Sequence, residues 1–509
     1  MSSQTIFRAS SVLLVLFTAS KILGFVREQI IAALLGTTAQ SDAFAMAATI
    51  PFTLSTIIGV SAGNALLPIY TGRLNDANRA YLSSTVLYLV GALVTFLTVL
   101  GMVFTPQMLD WFAPGFTGDV REAALLCTRI MLPSTILLTM GYMAKSVLNA
   151  HREFTVPAMA PVLQNIIFII LIIPFGKYMG PGLAWCTLVG AIVFYLYNLP
   201  AVGRLSTPLR PLLNFKDPDV HKVLLMSIPV MLTALTSRGF VFLDRMFFGS
   251  QLAEGGIAAL SFANRVRELP YSLFIAVISS VLFPILATAV KNKDRKVLLD
   301  STAMGLRMVA LVTYPCTALM IVLAVPIVRL LFERGAFDEA ATAATAVALG
   351  YYAASVAAMS ATSVLAYTFL SLRDAMLPLY VGLAGLCVNI AADYLLITPL
   401  GHGGLALGNT IGFWVALALF LCFFYLRLPE FEWFKQCIDQ IKIILATVVF
   451  AVLLWLIGGA CSLFNNDLGL TGQLLGMTVT IGVASIIYVL ILIPLNIPEI
   501  NACKRKFIK

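Results

Sequence analysis

The sequence predicts an all-α integral membrane protein. We expect about fourteen transmembrane helices: two six-helix lobes related by a pseudo-two-fold axis along the membrane normal, plus two C-terminal helices. Three observations lead there. Of 509 residues, 60% are hydrophobic and 11% charged, with mean hydropathy +0.95; a soluble domain carries about 25% charged residues. Apolar runs of about 20 residues, enough for ~30 Å of hydrocarbon, recur from end to end. Segments of the first half return in the second, in the same order, about 220 residues later.

The spans are read at roughly 9–34, 43–69, 81–105, 123–149, 155–175, 181–202, 223–248, 256–289, 302–331, 341–371, 376–397, 403–427, 441–462 and 472–495. The loops test that reading. Odd-numbered loops hold few cations: Arg121, Lys177 and Arg334. Even-numbered loops and the tail hold many, among them Arg73, Arg79, Arg152, Arg373, the run KNKDRK (291–296) and KRKFIK (504–509). The positive-inside rule then places both termini in the cytoplasm. The expected organisation is a first lobe over 1–202, a basic cytoplasmic linker over 203–222 and a second lobe over 223–427. An interfacial linker (428–440), spans 13 and 14 (441–495) and a basic tail (496–509) follow.

The repeat is visible in particular pairs. Ser20-Lys21 followed by GFV matches Ser237-Arg238 followed by GFV. HREFTVP (151–157) resembles SLRDAMLP (371–378), GPGLAW (180–185) resembles HGGLAL (402–407), and APGF (113–116) faces RGAF (334–337). An even number of spans separates the copies, so they are parallel, an arrangement used by transporters.

Composition also excludes. The net charge of +9 is scattered over short loops, which topology explains better than nucleic acid. The eight cysteines form no CxxC or zinc spacing and the three histidines lie far apart. The start resembles a signal peptide, but the apolar pattern resumes past Ser20, so we read it as a first span. No nucleophile–base set or P-loop is present, and the single GxG occurrences carry no nucleotide signal.

The informative residues are ionisable groups inside spans. Each costs ~2.5–3.5 kcal/mol on insertion scales, so it should face a cavity or a partner. Span 1 carries Lys21, Arg27 and Glu28, with Lys21, Gly24 and Glu28 on one helical stripe and Gly24 permitting a bend. Span 7 carries Arg238, Asp244 and Arg245; span 8 carries Arg265, Arg267, Glu268 and Pro270. Internal salt bridges explain part of this, for Glu28 and Glu268 above all. Cations exceed carboxylates, however, and two basic sets on repeat-related helices would line a central cavity suited to an anion, phosphate being the natural match for Arg. Asp42 sits at the start of span 2, at the periplasmic mouth or as a helix cap. Asn389 and Asp393 lie one turn apart in span 11. With Asp244, Asn409 and Thr410 they are hard oxygen donors for Na⁺, or Asp393 is a proton carrier, or the set only bonds helices together. No other cofactor is expected.

The chain resembles the MurJ/MviN lipid II flippases of the multidrug/oligosaccharidyl-lipid/polysaccharide (MOP) exporter superfamily. The resemblance rests on SKILGFVRE, DAF (42–44), APGF, LNAHREFTVPAMAPVLQN (148–165), LDR (243–245), AALSFANRVRELP (258–270), FERGAF (332–337) and LSLRDAMLP (370–378). It implies a multi-pass protein of the bacterial cytoplasmic (inner) membrane. It also implies flipping of the undecaprenyl-pyrophosphate disaccharide-pentapeptide toward the periplasm. By resemblance, Lys21, Arg27 and Arg265 are cavity cations with Glu268 close by, spans 13 and 14 form a lipid-tail groove, and a Na⁺ site maps onto Asp244, Asn389, Asp393 and Asn409 or Thr410. The chain departs from the family in span 2, where Ser55 and Thr56 stand about where an Arg pair is usual.

These residues suggest alternating access, with Lys21, Arg27, Arg238 and Arg265 holding the pyrophosphate. The repeat-related loops at Arg152 and Arg373 are candidates for an inner gate. Ion binding at Asp393 or the membrane potential would reset the cycle. Cell-wall synthesis proteins are candidate partners. Rival readings are a flippase for another polyprenyl-pyrophosphate oligosaccharide and a cation-coupled drug exporter, whose cavity should be acidic or aromatic. A polyprenyl-phosphate transferase would need a carboxylate or metal site such as DDxxD, which is absent.

Overall fold

The computed structural model describes residues 3–76, 78–205, 213–464 and 469–501, with the side chains of 3–11, 14, 237, 250, 276 and 280 excepted. Part of the basic linker (206–212) and the basic run 504–509 lie outside the described residues. The described chain is helical throughout, without strands. Among the described residues, twelve stretches are long and apolar enough to cross a membrane. One of them, Thr155–Arg204, is two helices parted by a 3₁₀ turn at Gly176–Tyr178. The first predicted span is the 33-residue helix Ser3–Leu35. All fourteen expected spans therefore have a helical counterpart, with fourteen itself an approximate count.

Contacts divide the chain into two compact units, Met1–Ala258 and Ala259–Lys509. The first holds α1 (Ser3–Leu35), α2 (Ala39–Ser55), α3 (Ser61–Gly72), α4 (Arg79–Val103), α5 (Thr105–Phe112), α6 (Gly118–Met131), α7 (Ser134–Ala150), α8 (Thr155–Phe175), α9 (Met179–Arg204) and α10 (Pro218–Phe248). It ends just inside α11 (Gly256–Lys291). The boundary thus falls after span 7 rather than at the basic linker. Two interactions hold α10 in this unit. Val220 and Val223 enter the apolar core built from Ile58, Leu66, Val86 and Met143. Arg73, at the end of α3, binds Asp217 at 2.6 Å and Asp219 at 2.6 Å, and Asp217 caps α10 through the Asp219 N–H.

The second unit continues with α12 (Arg295–Val322), α13 (Ala324–Phe332), α14 (Glu339–Ser371), α15 (Met376–Leu400), α16 (His402–Arg427), α17 (Trp433–Ala460) and α18 (Leu470–Leu492). Its core is aliphatic and aromatic: Leu282, Leu306, Val364, Phe369, Phe420 and Phe424. Spans 13 and 14 are α17 and α18, which pack on each other and on α12 and α13. Arg307 of α12 donates to Glu499 at 2.8 Å and to Gln436 at 3.1 Å, and lies 3.7 Å from Asp439. This buried cluster was not singled out from the sequence, although Arg307 lies within predicted span 9.

The internal repeat is written in the backbone. Arg152 and Arg373 both adopt φ 62°, and each closes its helix with a six-residue loop, Glu153 N–H to Leu148 O and Asp374 N–H to Phe369 O, both 3.0 Å. An arginine thus holds the left-handed position where glycine is usual. Met179 (φ 53°, ψ −133°) and Gly401 (φ 54°, ψ −132°) form a second matched pair. The short helices α5 and α13 each follow a long helix and precede the APGF and RGAF turns.

Three spans are less regular than predicted. Span 2 is broken by a π-helical turn, Thr56–Val60. Its Gly59 abuts α7 so closely that a Cβ would stand 2.9 Å from the Thr139 Cα, leaving room for no side chain. Span 4 is split between α6 and α7 at Leu132-Pro133, where proline lacks the N–H that would continue the helix. Span 9 is split at Leu323. Conversely, α1 runs unbroken through Gly24.

Candidate functional site

In the first unit, α1 presents Arg27 to α8. Arg27 pairs with Glu28 at 2.8 Å, donates to Asn165 Oδ1 at 3.3 Å and lies 5.2 Å from the centre of the Phe168 ring. Asn165 donates in turn to the Ser20 carbonyl at 3.3 Å. This guanidinium is therefore positioned by three neighbours. Lys21 is half-buried, its ammonium 5.6 Å from the Phe17 ring centre. Arg238 on α10 is exposed and interacts electrostatically with Tyr142 of α7. Six residues further along α10, Asp244 is buried, while Arg245 donates to Thr49 Oγ1 at 2.6 Å and to the Ala45 carbonyl at 3.2 Å.

Asp42 is a cap, but of a different helix from its own. Its carboxylate accepts from the Gly255 and Ala258 N–H groups, both at 2.7 Å, at the start of α11. Glu254 answers by accepting from the Ala39 N–H, at the start of α2, at 3.0 Å. Two helix N-termini thus exchange carboxylates, each meeting the positive end of the other's dipole.

In the second unit, Arg265 and Arg267 separate sharply. Arg265 is accessible, 3.9 Å from Glu268. Arg267 is buried against Tyr352, 4.4 Å from its ring centre, and donates to Asn409 Oδ1 at 2.7 Å and Ser355 Oγ at 3.1 Å. Neighbouring α15 and α16 bring Asn389, Asp393 and Asn409 into one fully buried region. Asn389 donates to Asp393 Oδ2 at 2.9 Å. A Cβ at Gly408 would collide with Asp393 Oδ1, so only glycine admits the carboxylate there. Among the oxygens expected to hold Na⁺, Asn409 Oδ1 is taken by Arg267, and the Thr410 hydroxyl donates to the Tyr351 carbonyl at 2.7 Å. Asn389 Oδ1 is buried beside Asp393 and accepts from no described group, while Asp244, the remaining member of the set, is buried on α10 in the first unit. No cluster of three His, Cys, Asp or Glu side chains suited to a metal occurs among the described residues.

The family model described as "Lipid II flippase MurJ" matches residues 31–480. The chain belongs to the MurJ family. A MurJ-family relative from Buchnera aphidicola, named probable lipid II flippase MurJ, is 29% identical over 458 residues, covering 88% of this chain and 89% of the relative. The namesake from Vibrio cholerae is 25% identical, with 98% of each covered. The Burkholderia cenocepacia lipid II flippase MurJ is 28% identical over 77% of this chain and 78% of its own. Among solved structures, one described as lipid II flippase MurJ in an inward closed conformation matches with TM-score 0.80 at 20% identity, covering 95% of this chain and 98% of its own. An inward-facing multidrug MATE transporter of the MOP superfamily matches with TM-score 0.69 at 15% identity, covering 83% and 98%. Those two likenesses bear on the fold.

Among the cations that the sequence reading passed over are Arg307, Arg329, which pairs with Glu333 at 3.5 Å, and Lys145. Arg307 was overlooked because its partners lie some 130 and 190 positions away. Lys145 was overlooked because it sits near a span end, where a lysine normally reaches the interface. The polar stripe Tyr142–Lys145–Asn149 was the available signal.

Proposed function

We propose that this chain is a lipid II flippase, a transporter rather than an enzyme. The match to the MurJ family over residues 31–480 carries the reading. Its substrate is the undecaprenyl-pyrophosphate-linked disaccharide-pentapeptide, moved from the cytoplasmic to the outer leaflet of the inner membrane. Lys21, Arg27, Arg238 and Arg265 bind the diphosphate. Arg27 and Arg265 have the fork geometry that suits phosphate oxygens. Glu28 and Glu268 hold those arginines between substrate visits. The lipid tail rests against α17 and α18, whose outward residues Leu445, Trp455, Leu475 and Ile486 are exposed and apolar. The two repeats alternate access, with the matched turns at Arg152 and Arg373 as the cytoplasmic gate.

Asp393 is the coupling carboxylate, carrying Na⁺ with Asn389 or a proton. The membrane potential is the alternative drive: one charge crossing 100 mV is worth ~2.3 kcal/mol, about fiftyfold in an equilibrium. Asp393→Asn is expected to abolish any Na⁺ or pH dependence of flipping in proteoliposomes; unchanged dependence would remove Asp393 from coupling.

One observation favours a second reading. Ser55 and Thr56 replace the usual arginine pair, which leaves span 2 without positive charge and suits a diverged flippase for another polyprenyl-pyrophosphate oligosaccharide. Depletion complementation decides between them. The protein is expected to rescue a cell lacking its lipid II flippase and to return precursor to the outer leaflet. Normal membrane insertion without rescue would favour the other glycan.

A further inference from the structure

The helix α7 is buried almost all round. Ser134, Leu138, Gly141, Met143, Ala144, Val147 and Leu148 all face neighbours. Its first half leaves Ile136, Leu137 and Met140 half-buried; from Gly141 to Ala150 the residues not buried are Tyr142, Lys145 and Asn149, at i, i+3 and i+7, with Tyr142 and Asn149 half-buried and Lys145 exposed. A helix face turned to lipid looks different: on α8, Ile170 and Ile173 are 53% and 81% exposed. The Tyr142 ring packs edge-on against Phe194 at 5.4 Å; the ammonium and carboxamide that follow it face water, because hydrocarbon would leave both unsatisfied. Lys145 has no ion pair or hydrogen bond among the described residues. It lies five residues from the end of α7, about 7 Å along the axis, on the side that carries Arg152.

The surroundings of the stripe give it a purpose. The Tyr142 hydroxyl lies beside the Thr56 side chain, whose own hydroxyl donates to the Phe52 carbonyl at 2.8 Å, and is in electrostatic reach of Arg238. Thr56 begins the π-helical turn of span 2, and such turns mark functional sites. Span 2 offers only hydroxyls there, Ser55 and Thr56, with Ser55 buried and donating to the Phe52 carbonyl. One helical turn beyond Tyr142, the neighbouring helix α7 carries a cation, Lys145.

We propose that Lys145 is a substrate-contacting residue that binds the diphosphate of a polyprenyl-linked substrate as it enters, supplying from span 4 the positive charge that span 2 lacks. The inference rests on the flippase reading. A lysine ammonium is a compact point charge with three donors, suited to phosphate oxygens in any orientation. It therefore accepts an arriving headgroup without the fixed geometry of Arg27 deeper in the first unit.

The test is binding to the full-length protein in nanodiscs of zwitterionic phosphatidylcholine. The probes are undecaprenyl pyrophosphate and undecaprenol, which share a tail and differ in the anion. Lys145→Gln is expected to weaken undecaprenyl pyrophosphate about tenfold and to flatten its salt dependence, as loss of one charge-assisted contact predicts. Undecaprenol binding should stay at the parental level and Lys145→Arg should bind nearly normally. Returning the charge from span 2, in Thr56→Arg/Lys145→Gln, should restore part of the loss. If Lys145→Gln binds the diphosphate normally while Arg265→Ala does not, Lys145 is not a substrate contact and the flippase reading stands. Equal weakening of both probes makes Lys145 a packing residue and overturns the proposal. If the parent itself shows no preference for the diphosphate, the flippase reading fails and this inference with it.

Discussion

Arg265→Ala is expected to reach the membrane at parental level and to fail completely in rescuing a cell depleted of its lipid II flippase. The position explains both halves. The ion pair with Glu268 spans 3.9 Å, with side chains 46% and 32% exposed, a contact of the kind that contributes little stability. The same accessibility leaves the guanidinium open to a phosphate, where a charged hydrogen bond is worth ~1.5–3 kcal/mol, about ten- to a hundredfold in affinity. Arg265→Lys keeps the charge and loses the fork, so partial rescue is expected. Arg27→Ala should also fail, but less informatively, because Arg27 ties α1 to Asn165 and Phe168 as well. Full rescue by Arg265→Ala would sink the cationic-site reading.

Arg307→Met is expected to give the largest loss of stability. Its guanidinium makes two contacts of 3.0 Å from Nε and one of 2.8 Å to Glu499, and holds Gln436 at 3.1 Å. Removing it leaves the half-buried Glu499 without its cation and Asp439 with only Lys442, 3.9 Å away; breaking a buried pair costs ~3–5 kcal/mol. Because Gln436 and Asp439 belong to α17 and Glu499 follows α18, the effect should be local to the join between these helices and α12. The measurement is thermal unfolding in detergent with limited proteolysis at 428–440, which should become sensitive. Arg307→Met/Glu499→Gln should recover part of the loss, since neither partner is then left charged against the other. An unchanged Tm in Arg307→Met would show the cluster to be solvated in the membrane.

Some of this was legible beforehand because it depends on local or additive properties. Spans follow from hydrocarbon thickness and apolar runs, and the repeat follows from matching motifs. The latter proved deep enough to place two arginines at φ 62° at equivalent turns. The placing of α10 was not legible: the linker looked like a boundary, but Arg73 binds Asp217 and Asp219 across it. Nor was the π-helical turn, whose cause is the close approach of α7 at Gly59. Asp42 illustrates an intermediate case. Its residue type and position predicted a cap, but the capped helix begins more than 200 residues away.

Arg265 and Arg267 show where the division falls. From composition and spacing alone both are costly cations in span 8, and the membrane nature of the chain, the lobes and the excess of positive charge follow from such counts. Two positions along a helix is about 200° of rotation, so the two side chains leave on nearly opposite faces. One meets Asn409, Ser355 and Tyr352 and is consumed by packing; the other stays accessible beside Glu268. Lys145 was decided the same way, by which neighbours pack against α7 and which face they leave open. Hydrophobic length and charge add up along the chain, whereas the fate of each ionisable group depends on residues brought to it from elsewhere by folding.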